Sequence, residues 1–315
     1  MMAARATAID GEPTLVAARP APVPPGEFVR IDGIALHVLT EGSGPVVICT
    51  SGLGGAWFDW DLVATRLLPD CTVVRFDRPG LGYSEPDRVA PTLAREADRI
   101  AALTDALALP GPHVVLAHSL GAFHAEGFAR MFPERVAGLV LLDPSNEEKP
   151  RPRPARAARV RAARIGGGAM RVSGLGRPIG PWVRRSVLFT HSRRHRDVAD
   201  ARWVRGSFGS GRFFATALTE NTTYLDVAAE LADLRRAAPL PDVPVRVLAA
   251  AGGYESLAAR ARWVRALRTL ANLSPQGRCE VLDDSAHFVM LDRPDAVADA
   301  VREVLAGSAS DRPSG

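Results

Sequence analysis

The sequence predicts an α/β fold, with a mostly parallel sheet of eight strands covered on both faces by helices. Three observations predict it. Short apolar runs alternate with amphipathic stretches along most of the 315 residues. One apolar run leads, through a tight turn of small residues around a serine, straight into a helical stretch. The alternation breaks once, after Pro144, and resumes near residue 235. Buried strands alternating with helices are the mark of a parallel sheet sandwiched between helical layers.

Phe28–Ile31 and Ala35–Leu39 read as two strands joined by Asp32-Gly33, a hairpin turn pair. Val46–Cys49, Val73–Phe76, Val114–Ala117 and Leu139–Leu142 are the next short strands. Helical stretches fall at about Trp60–Leu67, Thr92–Leu107 and Gly121–Arg130. In the second, Leu93, Ala97, Ile100, Leu103 and Leu107 recur at helical spacing, with Thr92 placed to cap it. Residues 147–213 hold Pro, Gly and Arg without strand runs, and a helical stretch at about Phe213–Leu234 closes the segment. Val245–Ala250 and Glu280–Leu282 are the last strands, Leu257–Leu270 and Pro294–Leu305 the last helices, the latter opened by a proline in its first turn. The organisation that results is a core formed by 28–146 and 235–308, an insertion at 147–234, a disordered leader at 1–27 and a disordered tail at 309–315.

With 47% hydrophobic residues the chain can bury a large core. No uncharged apolar run reaches the roughly 18 residues of a membrane span, and the Ala/Pro-rich leader lacks the apolar stretch of a secretory signal. Cys49, Cys71 and Cys279 are three and widely spaced, which fits neither a disulfide framework nor a zinc site. A reducing, cytoplasmic setting is the expectation, with no cofactor and no metal. Residues 149–213 carry 17 basic side chains against two acids, Asp197 and Asp200. A solvated surface is the plain reading of that imbalance, and attraction of an anionic substrate the sharper one. Trp182, Phe189, Trp203 and Phe208 in the same segment follow no base-stacking spacing, so nucleic acid is not an expected partner.

The polar groups that could carry chemistry fall at the carboxyl ends of strands, where open parallel sheets bind ligands. Ala117-His118-Ser119-Leu120-Gly121 follows the apolar run Val114-Val115-Leu116. A strand, a small-x-Ser-x-small turn and a helix together force the serine into an exposed, strained position. A serine hydroxyl attacks only when a base takes its proton. His287, after the last strand, is the candidate base, because imidazole titrates near neutrality. Asp143, after the sixth strand, is the candidate acid that holds the ring's tautomer. Negative charge developing on a substrate oxygen needs preplaced donors, each worth about 2.7–4 kcal/mol. The backbone N–H of Leu120 and that of Leu53, in the turn Ser51-Gly52-Leu53-Gly54-Gly55, are the candidates. Trp57 and Phe58, just beyond that turn, suit either an acyl pocket or packing against the insertion. His118 suits hydrogen bonding near the turn, and His37, His113 and His124 suit structural roles.

These motifs resemble the α/β-hydrolase family. Asp77-Arg78-Pro79-Gly80-Leu81-Gly82-Tyr83-Ser84 is similar to that family's Asp-Arg-x-Gly-x-Gly-x-Ser loop, and Ala286-His287 with Asp292-Arg293-Pro294 is similar to its Gly-His…Pro ending. The resemblance covers about 28–145 and 240–306. It implies a catalytic triad in the order Ser…Asp…His, an oxyanion hole, and a mainly helical lid inserted after strand six. Three departures stand out. Ser51 replaces the family's usual histidine before the oxyanion glycine. Alanine replaces glycine at 117 and 286. The usual aspartate after strand seven is missing, leaving Glu255 the nearest acid, while Asp143 occupies the position some members use instead. Asp226 is a more distant candidate. Asp77 and Arg78 are expected to fix their loop through hydrogen bonds and an ion pair.

The implied activity is a serine hydrolase acting on a small-molecule ester or related acyl substrate, with a carboxylesterase-like reaction through an acyl-enzyme. A cofactor-free lyase, cyclase or acyltransferase on the same pocket is the alternative. A catalytically silent binding protein is a further one, supported by the missing strand-seven acid.

Overall fold

The computed structural model describes residues 23–254 and 256–310. The leader up to residue 22, Glu255 and residues 311–315 lie outside the described residues. The strands are β1 (Glu27–Ile31), β2 (Ile34–Gly42), β3 (Val46–Thr50), β4 (Thr72–Phe76), β5 (His113–His118), β6 (Val136–Leu142), β7 (Val245–Ala250) and β8 (Gly277–Leu282). They form one eight-stranded sheet in the order β1-β2-β4-β3-β5-β6-β7-β8. The β1–β2 hairpin is antiparallel and β2 meets β4 antiparallel, while every pairing from β4 to β8 is parallel. Asp32 and Gly33 both take positive φ, as a two-residue hairpin turn requires.

The helices outside the insertion are α1 (Asp61–Leu67), α2 (Leu93–Ala106), α3 (Gly121–Met131), α8 (Leu257–Ala271), α9 (Val289–Asp292) and α10 (Pro294–Ser310). Thr92 caps α2 as expected, its hydroxyl accepting from the Arg95 N–H at 3.2 Å. A 3-10 turn, Trp57–Trp60, precedes α1. Strand side chains alternate between two cores. Val46, Ile48, Val115 and Ala117 pack with α2, α3 and α8 on one face, and Val47, Cys49, Val114 and Leu116 pack with α1, α9 and α10 on the other. The central strands are therefore buried on both sides, which is why they read as continuous apolar runs.

Four helices lie between β6 and β7: α4 (Arg156–Val172), α5 (Gly176–His191), α6 (Ala201–Phe208) and α7 (Gly211–Ala237). Val227 and Leu231 of α7 pack on Leu120 and Phe123. Trp57 and Phe58 join Val204, Phe208 and Phe213 of the insertion and Leu39 and Leu81 of the core in an apolar cluster, so they pack between the two. The arginines here are not all solvated. Arg184 of α5 is buried, donates to Asp59 at 2.7 Å and to Asp197 at 2.5 Å, and stacks over Phe58 and Phe208. Its two carboxylates compensate the charge that burial would otherwise penalise.

A second buried pair joins the insertion to the core. Arg78, after β4, binds Glu220 of α7 at 2.8 and 3.0 Å, and both side chains are about as inaccessible as the central strands. Breaking one partner of such a pair leaves an uncompensated buried charge. Glu220→Gln should therefore lower unfolding free energy by about 3–5 kcal/mol in urea titrations. A change within about 0.5 kcal/mol, the usual range for surface sites, would show that the pair is not buried as described.

Burial lowers the pKa of three histidines, His113, His118 and His124, and they shape the acid response. Burial, aided by the His287 and Arg78 charges, holds His118 well below the ordinary histidine range. Burial and the Arg78 and Arg99 charges do the same to His124, whose Nδ1 is unpartnered. At these histidines the folded state binds fewer protons than the unfolded chain once pH drops through the unfolded histidine pKa near 6.5, while Asp61, pushed up to about 6 by burial, works the other way. Stability present above that pH is lost as pH falls. Melting temperatures measured from pH 7.5 to 5 should decline below about 6.5, and His124→Gln should flatten the decline. An equal slope in the variant would clear His124 of the effect.

Candidate active site

The candidate nucleophile sits at the junction of β5 and α3. Ser119 has a φ of +50°, a conformation that non-glycine residues rarely adopt. Its N–H donates to Leu142 O at 3.1 Å, and its carbonyl accepts from Ala122 and Ser145 at 3.0 Å each. The turn is thus pinned from β6 and from its own helix. Close packing explains the small residues around it. A Cβ on Gly121 would lie 2.5 Å from Thr50 O, so only glycine fits there. Ala117 is fully buried within β5, where its methyl is accommodated.

Asp143 also departs from the strand with a positive φ, +36°, a conformation aspartate tolerates better than most residues. Its N–H is held by Leu248 O at 2.8 Å. The bend delivers its carboxylate to three donors. Oδ2 meets His287 Nδ1 at 2.7 Å. Oδ1 accepts from Trp263 Nε1 at 2.8 Å and from the Ala250 N–H at 3.2 Å. Nearby, burial and the Asp143 charge push the Tyr254 phenol up to about 12. Of the other acids weighed from sequence, Asp226 is occupied by Arg159 at 2.9 and 3.1 Å, and Glu255 lies outside the described residues.

His287 follows β8 in a turn that Asp292 organises. One Asp292 carboxylate accepts from the Ala286 N–H at 2.9 Å, the Ser192 hydroxyl at 2.6 Å and the Arg193 N–H at 3.0 Å. It therefore fastens the end of α5 to the His287 turn. His118 completes the support. Its Nε2 donates to the His287 carbonyl at 2.8 Å, and its ring centroid lies 4.6 Å from that of His287. Ser119 is the next residue, so β5 brings the serine and the His287 imidazole to the same end of the sheet.

The turn after β3 closes the site from the opposite side. A Cβ on Gly52 would lie 2.7 Å from His118 Nδ1 and 3.1 Å from Ser119 Cβ, which places this turn directly against the serine. Arg78 clamps it by donating to Ser51 O and, at 2.7 Å, to Gly52 O. Glu220 accepts from the Gly54 N–H at 2.9 Å while holding Arg78. Ser51, where the family has histidine, accepts from Trp60 Nε1 at 2.8 Å and so anchors the turn to α1's entrance. Asp77 supports the neighbouring loop as expected, binding His37 Nδ1 at 2.8 Å and the N–H groups of Trp57 and Tyr83 at 2.9 and 3.1 Å. The N–H groups of Leu53 and Leu120 donate to no hydrogen-bond partner among the described residues.

Sequence reasoning missed Trp263, Glu220 and the role of Asp292. Trp263 is 120 positions from Asp143, and Glu220 is 142 from Arg78. Neither distance leaves a local pattern. Asp292 was visible as a motif, but not its bonds. Among the described residues, no cluster of His, Cys, Asp and Glu is disposed to hold a metal ion.

Comparisons with known proteins identify the family and the fold. Residues 46–300 match the family model described as the alpha/beta hydrolase family. The 2-(acetamidomethylene)succinate hydrolase of Mesorhizobium japonicum is 30% identical over 115 residues, 36% of this chain and 41% of that protein. The uncharacterized protein Rv2715 of Mycobacterium tuberculosis is 30% identical over 116 residues, 37% of this chain and 34% of its own length. The matched segment thus spans well under half of these curated relatives. Among solved structures, a thermophilic esterase from Thermogutta terrifontis superposes with a TM-score of 0.65 at 23% identity, covering 89% of this chain and 98% of that one. Cfl2 from Burkholderia cenocepacia does so with a TM-score of 0.66 at 22% identity, covering 88% and 94%. At that identity the likeness is one of fold. With a family model spanning most of its length, and with the eight-stranded sheet that such proteins share, the chain belongs to the alpha/beta hydrolase family.

Proposed function

We propose that this chain is a serine hydrolase that cleaves a carboxylic ester or related acyl bond, with Ser119 as nucleophile, His287 as general base and acid, and Asp143 as the acid that orients it. The observation that carries the reading is the 2.7 Å contact between His287 Nδ1 and Asp143 Oδ2, at the sheet end where Ser119 stands on its strained turn. With Nδ1 bound to a carboxylate, the imidazole keeps its Nε2 lone pair for the serine proton. Oγ of Ser119 then bonds to the acyl carbon as its proton passes to His287. The oxygen of the resulting tetrahedral centre takes up negative charge facing the Leu53 and Leu120 N–H groups. The C–O bond to the leaving group breaks as His287 returns the proton to it. Water repeats the sequence on the acyl-enzyme, releasing a carboxylic acid and restoring the serine.

The supporting shell fits this role. Two donors on Asp143 Oδ1 fix its rotamer. Helices α4–α7 act in this reading as a lid. Phe213 and Ala217 of α7 flank Gly54, and His191, at the end of α5, has its ring centroid 6.4 Å from that of His287. The relative named as a hydrolase of 2-(acetamidomethylene)succinate supports hydrolysis as the reaction class.

A panel of acyl esters of graded chain length, assayed in ¹⁸O-labelled water, tests the reaction. Turnover should place label in the acid product, and Ser119→Ala should lower kcat/KM about a thousandfold or more. Equal turnover by the variant, or product free of label, would remove the hydrolase reading in favour of the acyl-transfer or lyase alternative. The orienting groups should separate by size of effect. Asp143→Asn should cost on the order of 10⁴ in kcat. Trp263→Phe, which removes one charge-assisted bond, should cost about tenfold in kcat at unchanged KM. If Asp143→Asn is nearly neutral, another acid serves the histidine.

A further inference from the structure

We propose a second binding site, for a small organic anion with a carboxylate or phosphate head and a short apolar body, in the cavity between the 78–91 segment, α2, α4 and α7. The cavity measures about 540 Å³, within the range of small-molecule sites. Ser119, Asp143 and His287 are not among its lining residues. It shares one wall with the candidate active site, the buried Arg78–Glu220 pair.

Charge defines the ligand. Five arginines and three carboxylates line the cavity. Each carboxylate is already engaged. Asp87 is held by Arg95 at 2.8 Å and Arg99 at 3.1 Å, Glu96 by Arg99 at 3.5 Å, and Glu220 by Arg78 at 2.8 Å. Arg88, Arg164, Arg171 and Arg212 have no carboxylate within ion-pair distance among the described residues. Arg164 donates only to the main-chain carbonyls of Arg88, at 2.7 Å, and Asp87, at 3.5 Å. Arg212 donates to Gly82 O at 3.1 Å and keeps a buried, unpartnered Nε. Burial lowers Arg212 from the ordinary guanidinium range, and the charge of Arg171 adds to the effect. Like charges gathered in a partly desolvated recess favour an anion between them, and guanidinium forks bind carboxylate and phosphate oxygens in pairs.

Shape defines the rest. Pro79, Pro86, Val89 and Pro91 supply an apolar wall. Gly168 of α4 also lines the cavity, and a Cβ there would meet nothing within 4 Å. That open space admits a short carbon chain beside the charged head.

Calorimetric titration of the full chain with hexanoate, hexyl phosphate and 1-hexanol tests the proposal without any variant. At least one anion should bind ten times or more tightly than the alcohol, and added salt should weaken it; which anion binds more tightly identifies the head group. Equal affinity for all three, or no binding, would overturn the proposal. Two variants then locate the site. Arg171→Gln removes an exposed side chain, and Gly168→Phe fills the open space at a helix-interior glycine, a change helix propensity favours. Both should weaken anion binding at least tenfold while melting as the parent does. Anion binding retained in both would place it elsewhere and refute the proposal. These readouts do not depend on ester turnover, so they stand apart from the catalytic reading.

Discussion

One buried guanidinium holds the functional end of this molecule together. Arg78 leaves the carboxyl end of β4, crosses beneath the turn after β3 and grips the carbonyls of Ser51 and Gly52. Its remaining charge is met by Glu220, which reaches down from α7 and takes the Gly54 N–H with its other oxygen. A glycine-rich turn of this kind has little side-chain packing to fix it. The Arg78–Glu220 pair supplies that constraint electrostatically, in a dry environment where a misplaced charge would be costly. The same pair fastens the α4–α7 insertion to the sheet, so the shape of the turn and the seating of the insertion are linked.

The His287 side is built on a similar plan with different groups. Asp292 bonds at once to the Ala286 N–H and to Ser192 and Arg193 at the end of α5. His118 then ties the His287 carbonyl to the serine-bearing strand. Both halves of the candidate site are thus anchored to the sheet and to the insertion. This explains the polar, arginine-rich character of the insertion in part. Arg184 is buried because it joins Asp59 to Asp197, and Arg159 is spent on Asp226. Three others, Arg164, Arg171 and Arg212, line the cavity beside Arg78.

The departures from the family's usual pattern find local compensation. Ser51 replaces a histidine, and its hydroxyl still receives a hydrogen bond, from Trp60. The family's usual aspartate after β7 is missing from the sequence, and Asp143 after β6 meets His287. The adjacent strand supplies the Ala250 N–H to its carboxylate, and α8 supplies Trp263. β6 and β7 are parallel neighbours that end side by side, which puts Asp143 at the same end of the sheet as the residues after β7.

The sequence by itself determined the strands, the helices of the core and the serine turn. Each is encoded within a few residues, by a two-residue or 3.6-residue apolar period or by the small residues on either side of Ser119. It also marked a strand-free, arginine-rich stretch between the sixth and seventh strands, where the structure has α4–α7. Only the tertiary structure decided which acid meets His287, that Trp57 and Phe58 pack between the insertion and the core, and that Glu220 and Trp263 hold the site. Those contacts join residues more than a hundred positions apart, and a hydrogen bond between distant side chains leaves no periodic trace in the chain that forms it.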